Sequence, residues 1–253
     1  MRENVARLAR GQSARRPEPT GPGDWERLKP RTLVDQAVEA IVAGAARGLI
    51  LPGDRIVEAE VARMLGISRV PVREALRLLE SQGVVTNTPY RGIRLMEVSA
   101  ERIDQVIDVR VALEVRAALA AVRSGRHRDG GIANLEQALG ELSLMAARRD
   151  AYGLAMADTE FHRRLCSLGG NAVLSMLWES LARQLTVIVG LSTLGKSMRR
   201  IIAEHQTLVE VFRRGDADEL ERALEEHIGW QNREVDYQRL VAERRGQRQT
   251  TAC

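Results

Sequence analysis

Apolar residues recur at helical spacing along most of the chain, and the stretch around residue 90 is where that rhythm changes. Val34, Ala37, Val38, Ile41 and Val42 share one stripe of a helix predicted over 32–47. Thr32 and Asp35 open it in the positions of a capping box, with Asp in place of the longer Glu. "LPGD" at 51–54 breaks the chain, and a short helix follows at about 58–65. In "GISRVPVREALRLLESQG", residues 66–83, Gly66 permits a tight turn and Ser68 is placed to cap the next helix through its side chain. Pro71 lies in that helix's first turn, and Gly83 closes it in a left-handed position. Two short helices joined by such a turn form a helix-turn-helix. "VVTNTPYRGIRLMEV", 84–98, is rich in β-branched residues with a tip at Pro89–Gly92, the pattern of a two-stranded wing.

From residue 99 to 245 only helical periodicity is visible. Breaks at Gly125, Gly130–Gly131, Gly169–Gly170–Asn171, Gly195 and Gly215 separate about six helices, near 100–123, 131–149, 151–168, 172–190, 197–213 and 217–240. The predicted fold is mainly α: a winged helix-turn-helix domain over 30–98 and an all-helical bundle over 99–245. A flexible basic leader is expected over 1–29 and a disordered tail over 246–253.

Composition narrows the function classes. At 253 residues and 44% apolar, the chain can bury two cores. No apolar run approaches the roughly 20 residues that span a bilayer, so no membrane partner is expected. Cys166 and terminal Cys253 make no disulfide framework, which points to a reduced, cytoplasmic setting. The net charge of +4 sits wholly in residues 1–31, which hold eight Arg/Lys against four acids. Net charge therefore says little about nucleic acid. Local arrangement has to carry that case.

Arg69, Arg73 and Arg77 recur at i, i+4, i+8 and share one face of the second helix of the helix-turn-helix, opposite Val72, Ala75, Leu76 and Leu79. The first half of such a helix meets base edges in the major groove, where arginine binds guanine with two bonds and phosphate through its charge. Arg91 at the wing tip is placed to reach backbone or minor groove. A solvated arginine face is the plainer alternative, and Arg77 with Glu74 or Glu80 would fit it. The capped turn before and the wing after favour DNA. "GDRIVEAEVARMLGISRVPVREALRLLESQGVV", with "SRVPVREAL" and the trailing "RG" most specific, resembles the winged helix of GntR-family bacterial transcription regulators. The resemblance implies operator binding through Arg69 and Arg73, with Ser68 and Val70 near backbone or bases and Gly92 shaping the wing.

The bundle carries polar residues in slots that its pattern reserves for apolar ones. One inward stripe reads Leu154, Ala155, Asp158, Phe161, His162, Leu165. Another reads Ile201, Ile202, His205, Leu208, Val209, and the last reads Leu220, Ala223, Leu224, His227, Ile228. Buried polar groups need partners, and one divalent cation satisfies all four intruders at once. Three imidazoles and a carboxylate suit zinc first, then nickel, manganese or iron. An Asp158–His162 salt bridge would leave His205 and His227 unexplained. His127, in the polar "SGRHRDG", is set aside, and Cys166 is taken as core. Arg110 also falls on a core stripe, either as an i, i+4 ion pair with Glu114 or as a cation facing the cavity.

The spacing Asp158, His162, His205, His227 resembles the FCD effector domain of FadR/VanR-type GntR regulators, as do the "R…E" of the first bundle helix and "GGN" at 169–171. That resemblance implies a metal site accepting a small carboxylate effector, a sugar acid or organic acid, with Arg110, Glu114 and Asn171 near it. An enzyme would need an additional positioned base, and no "HExxH" accompanies the ligands. A purely structural or metal-sensing site is the closer alternative. The attached DNA-reading module favours a sensor that works as a homodimer on a near-palindromic operator.

Overall fold

The computed structural model describes residues 31–195, 197–230 and 235–251, and the leader expected over 1–29 lies outside them. From Thr32 onward the chain forms one compact unit. Helix α1, Leu33–Ala46, opens with both bonds of the expected capping box: Asp35 N donates to Thr32 Oγ1 at 3.1 Å, and Thr32 N to Asp35 Oδ2 at 3.0 Å. Its stripe of Ala37, Val38, Ile41 and Val42 is buried against α3.

Helices α2, Glu58–Leu65, and α3, Arg69–Ser81, are joined through Gly66 in the left-handed region, φ 66°. Ser68 takes the cap position but makes no side-chain capping bond. The third helical residue is Pro71, so the backbone donor such a cap would bind is missing. Strands β1, Val85–Thr88, and β2, Gly92–Leu95, pair antiparallel from Val85↔Leu95 to Thr88↔Gly92. The segment after "LPGD" is more than a break. Arg55 bridges Arg94, and Ile56 N donates to the Ile93 carbonyl at 2.8 Å, giving the wing a third edge.

The bundle follows as α4 Ala100–Arg123, α5 Ile132–Ala147, α6 Ala151–Leu168, α7 Ala172–Ser192, α8 Met198–Arg214 and α9 Ala217–Glu225. A kinked connection at His127–Gly131 separates α4 from α5, and a wide helical turn, Glu226–Trp230, prolongs α9. The last predicted helix does not run unbroken to 240. A further helix, α10, spans Tyr237–Thr251 and replaces most of the tail expected over 246–253. Asp236 caps it by accepting from Arg239 N at 2.9 Å, and Tyr237, Leu240 and Val241 are buried at i, i+3, i+4.

α7 corrects a second expectation. Its 21 residues are long and apolar enough to cross a membrane, yet half of that surface is buried here, where α7 packs against α1, α4 and α6. A Cβ on Gly190 of α7 would stand 2.5 Å from that of Ala46 on α1, so only glycine permits this crossing of head and bundle. Gln184 Nε2 then donates to the Gln82 carbonyl at 2.7 Å, tying α7 to the end of α3.

Candidate functional site

Three elements bring the bundle's intruding polar residues together. α6 presents Asp158 and His162 one turn apart, α8 presents His205, and the turn after α9 presents His227. All four are buried. The ligand atoms of the three histidines lie within 4.8 Å of one another. His162 Nε2 and His227 Nε2 are 3.2 Å apart, as are His205 Nε2 and Asp158 Oδ1. Donors held about 2.1 Å from one tetrahedral zinc stand roughly 3.4 Å from each other, close to these spacings.

Hydrogen bonds behind the rings fix their tautomers. His205 Nδ1 faces the Ile201 carbonyl at 2.8 Å; a carbonyl only accepts, so Nδ1 carries the proton and Nε2 a lone pair in the neutral ring. His162 Nδ1 faces Glu114 Oε2 at 2.6 Å. Burial alone would raise the Glu114 carboxyl. The Arg110 charge, with bonds from His162 and Trp178, outweighs it and holds the carboxyl well below its usual range. Glu114 is therefore ionised and accepts, leaving His162 Nε2 as a lone pair too. Burial, followed by the Arg110 charge, pushes His162 below its usual range and keeps it neutral.

Asp158 completes the set as an anion. Burial opposes its charge, but the facing His205 ring, then His162 and Arg110, hold its carboxyl far below the ordinary range. Its Oδ1 faces His205 Nε2 without hydrogen-bond alignment, and that buried nitrogen has no hydrogen-bond partner among the described residues. A cation between the ring nitrogen and the carboxylate would satisfy both, and the four donors fit one. Cys166 is no competing ligand. Burial, with the Glu114 charge, pushes its thiol up and keeps the proton on sulfur. His127 is separate from the cluster but is not solvated: at the start of the kinked connection it is buried edge-on to Phe212 at 5.9 Å, its two nitrogens without a hydrogen-bond partner among the described residues.

The three residues expected near an effector have differing places. Arg110 and Glu114 do form the i, i+4 pair, Nε donating to Oε1 at 2.6 Å with both side chains buried. Glu114 also accepts from Trp178 Nε1 at 2.9 Å, so three donors engage its carboxylate. It orients His162, and as an anion it would repel an acid rather than bind one. Asn171 is exposed and caps α7, its Oδ1 accepting from Leu174 N at 3.1 Å; it is not part of the cluster.

On the head, Arg69, Val70, Arg73 and Arg77 all lie exposed on α3 opposite its buried stripe, with Ser68 exposed at its start. Arg73 is held in a two-pronged pair with Glu58 of α2, and Arg77 pairs with Glu74 at 2.9 Å as the plainer alternative has it. Arg91 is exposed at the wing tip, and Gly92 adopts φ 72°. Tyr90 beside them stands fully in solvent at φ 65°.

A winged head on an all-helical bundle has counterparts among known proteins. Residues 33–95 match the gntR family of bacterial regulatory proteins, and residues 105–229 match the FCD domain. An HTH-type transcriptional regulator of Agrobacterium vitis is 34% identical over 133 residues, 52% of this chain and 78% of that protein. The chain belongs to the GntR family. This FCD-bearing regulator is also 28% identical over 204 residues to a probable D-xylose utilization operon transcriptional repressor of Paenarthrobacter nicotinovorans, covering 80% of the regulator and 88% of the relative. The solved structure of E. coli McbR/YncC shares the fold, with a TM-score of 0.64 and 21% identity over 85% of the regulator and 98% of that chain. The regulator is a DNA-binding transcriptional regulator, as its relatives are, and not an enzyme.

Two residues that hold candidate site residues in place, and one beside the wing tip, escape sequence reasoning. Trp178 and Glu58 lie far in sequence from Glu114 and Arg73, and nothing local pairs them. Tyr90 had a signal, an aromatic at a predicted turn tip where nothing can bury it.

Proposed function

We propose that the regulator holds one divalent cation between Asp158, His162, His205 and His227, and that a small carboxylic acid binding there alters operator affinity. The observation that carries this reading is the buried convergence of three imidazoles, ligand atoms within 4.8 Å of one another, with the Asp158 carboxylate 3.2 Å from His205 Nε2. Zinc is the first choice, and nickel, manganese and iron suit the same donors. When bound, the cation would supply Lewis acidity and an exchangeable coordination position. Glu114 and the Ile201 carbonyl aim two of the rings, and Asp158 gives the anionic donor. A cleft of about 290 Å³, lined by Arg200, Thr207, Leu208 and His227 among others, offers an approach from solvent. Arg110, buried between the Glu114 and Asp158 charges, is the counter-charge for the acid.

A sugar acid is favoured by a relative in Bacillus licheniformis named as a gluconate operon transcriptional repressor. Two copies would read a near-palindromic operator in the cytoplasm, because one short helix reads too few base pairs. Arg69 and Arg73 would meet bases, with Ser68, Val70, Arg77, Arg91 and Gly92 along the flanks. A coupling of roughly 1–3 kcal/mol between acid and operator would change affinity about 5–150-fold. The test is a thermal-shift screen of aldonic and simple organic acids with and without EDTA. An acid-induced rise in melting temperature that vanishes with chelator is expected. A chelator-sensitive protein that no acid stabilises would instead have a structural or metal-sensing site.

A further inference from the structure

Helix α10 lies outside both matched domains and engages each half of the molecule. Its first turns are rooted in the bundle, where Tyr237, Leu240 and Val241 are buried. Its later turns reach the head. Arg245 Nη2 donates to the Pro52 carbonyl at 2.6 Å and to Asp54 Oδ1 at 3.4 Å. Arg248 donates through Nη1 to Asp54 Oδ2 at 3.0 Å and through Nη2 to the Gly48 carbonyl at 2.7 Å. The gripped loop is continuous with the wing: Leu51 N donates to Asp54 Oδ2 at 2.9 Å, and the Asp54 carbonyl accepts from Leu95 N at 3.1 Å. Beside these bonds a cleft of about 510 Å³ opens between α10, Pro52 and the Glu97–Ser99 linker. Directional polar contacts thus carry the hold of the later turns of α10 on this loop, beside the apolar packing of α1 on α7 that also joins head and bundle.

We infer that α10 sets the DNA-reading head on the bundle, with Arg245 and Arg248 as positioning residues for operator binding. Both act through the loop 48–54 and not through α3. A symmetric operator demands two heads presented at fixed spacing, so a head released from α10 has orientational freedom to lose on binding. The inference rests on the proposed pair of copies on a symmetric operator but not on the metal or the effector, and loss of the half-site difference in the parent itself would tell failure of that reading from failure of this one.

The test is a double-mutant cycle on the full chain. Affinity is measured by fluorescence anisotropy at about 0.15 M salt, on a duplex that the full-length protein selects from random-sequence DNA and on its half-site. The proteins are the parent, Asp54→Asn, Arg248→Gln and the double variant. Arg239→Gln is the charge control, since Arg239 sits on the same helix and pairs with Glu243. Each single variant is expected to weaken full-operator binding by roughly three- to tenfold, with the half-site unchanged and the double variant no weaker than the worse single. Arg239→Gln should stay within about twofold of the parent. Asp54→Asn also disturbs the bond from Leu51 N, so Arg248→Lys is measured as well and should recover part of the loss. Additive losses, an equal loss on the half-site, or an Arg239→Gln effect as large as that of Arg248→Gln would overturn the assignment.

Discussion

Arg73 of α3 reaches back across the helix-turn-helix to Glu58 of α2, its Nε and Nη2 donating to the carboxylate at 3.1–3.2 Å. The arginine best placed for the major groove is therefore held in position before DNA arrives, and DNA must compete with a carboxylate for it. Bond and charge both raise its already high pKa, so it stays a cation throughout.

Arg73→Ala should abolish operator preference, costing about 1–3 kcal/mol against the preferred sequence, while metal content stays at the parental level. Glu58→Gln should act oppositely, strengthening binding to specific and random duplexes alike by a few fold. Anisotropy titrations on both duplexes check this. Parental operator affinity in Arg73→Ala would rule out the role.

Trp178 and Glu114 offer a graded pair of substitutions. Trp178→Phe removes one of three donors to the carboxylate and leaves a cavity where the indole is fully buried, and should lower stability by about 1–3 kcal/mol. Glu114→Ala strips the partner from buried Arg110 and from His162 together, and should cost about 3–5 kcal/mol. Urea unfolding of the metal-free protein measures both. Equal losses would mean that the carboxylate is not the hub of this network.

The same groups set an acid dependence for the metal-free chain. His162 titrates below 6.5 when folded, so near that pH the unfolded chain takes up a proton that the native state refuses. Stability then falls as pH drops through about 6.5. Glu114, at about 2 against an ordinary 4.5, gives stability that is fully present above about pH 4.5 and is lost as pH falls toward 2. Calorimetry in EDTA should show melting temperature declining between about pH 7 and pH 5, with a further decline below about 4.5. A flat profile from 7 to 5 would exclude a buried neutral His162.

Much of this was legible in the chain because burial imposes a period. His205 and His227 stand out in the chain as candidate ligands since each occupies a slot flanked by Ile, Leu and Val on a helical stripe, where an unpartnered imidazole is costly. The helix-turn-helix was legible from Gly66, Pro71 and Gly83, whose backbone preferences are local. Pairings between elements leave no such trace. Glu114 meets His162 across α4 and α6, and Trp178 joins them from α7, contacts fixed only by how the helices pack. Asn171 misled because its place before a helix serves capping, which also accounts for its identity. α10 was hidden because its second half is rich in Arg and Gln, and polar grips on the loop 48–54 stand in for an apolar stripe.

The central claim is tested most directly by elemental analysis of the dialysed full-length protein and of His205→Ala, each checked for fold by circular dichroism. His205 sits at the enclosed contact with Asp158, so its removal should empty the site without disturbing the head. The account predicts close to one equivalent of divalent metal per chain in the parent and under about a tenth in the variant, with operator binding retained. Stoichiometric metal in His205→Ala, or a parent that carries none and melts identically with zinc or EDTA, would contradict it.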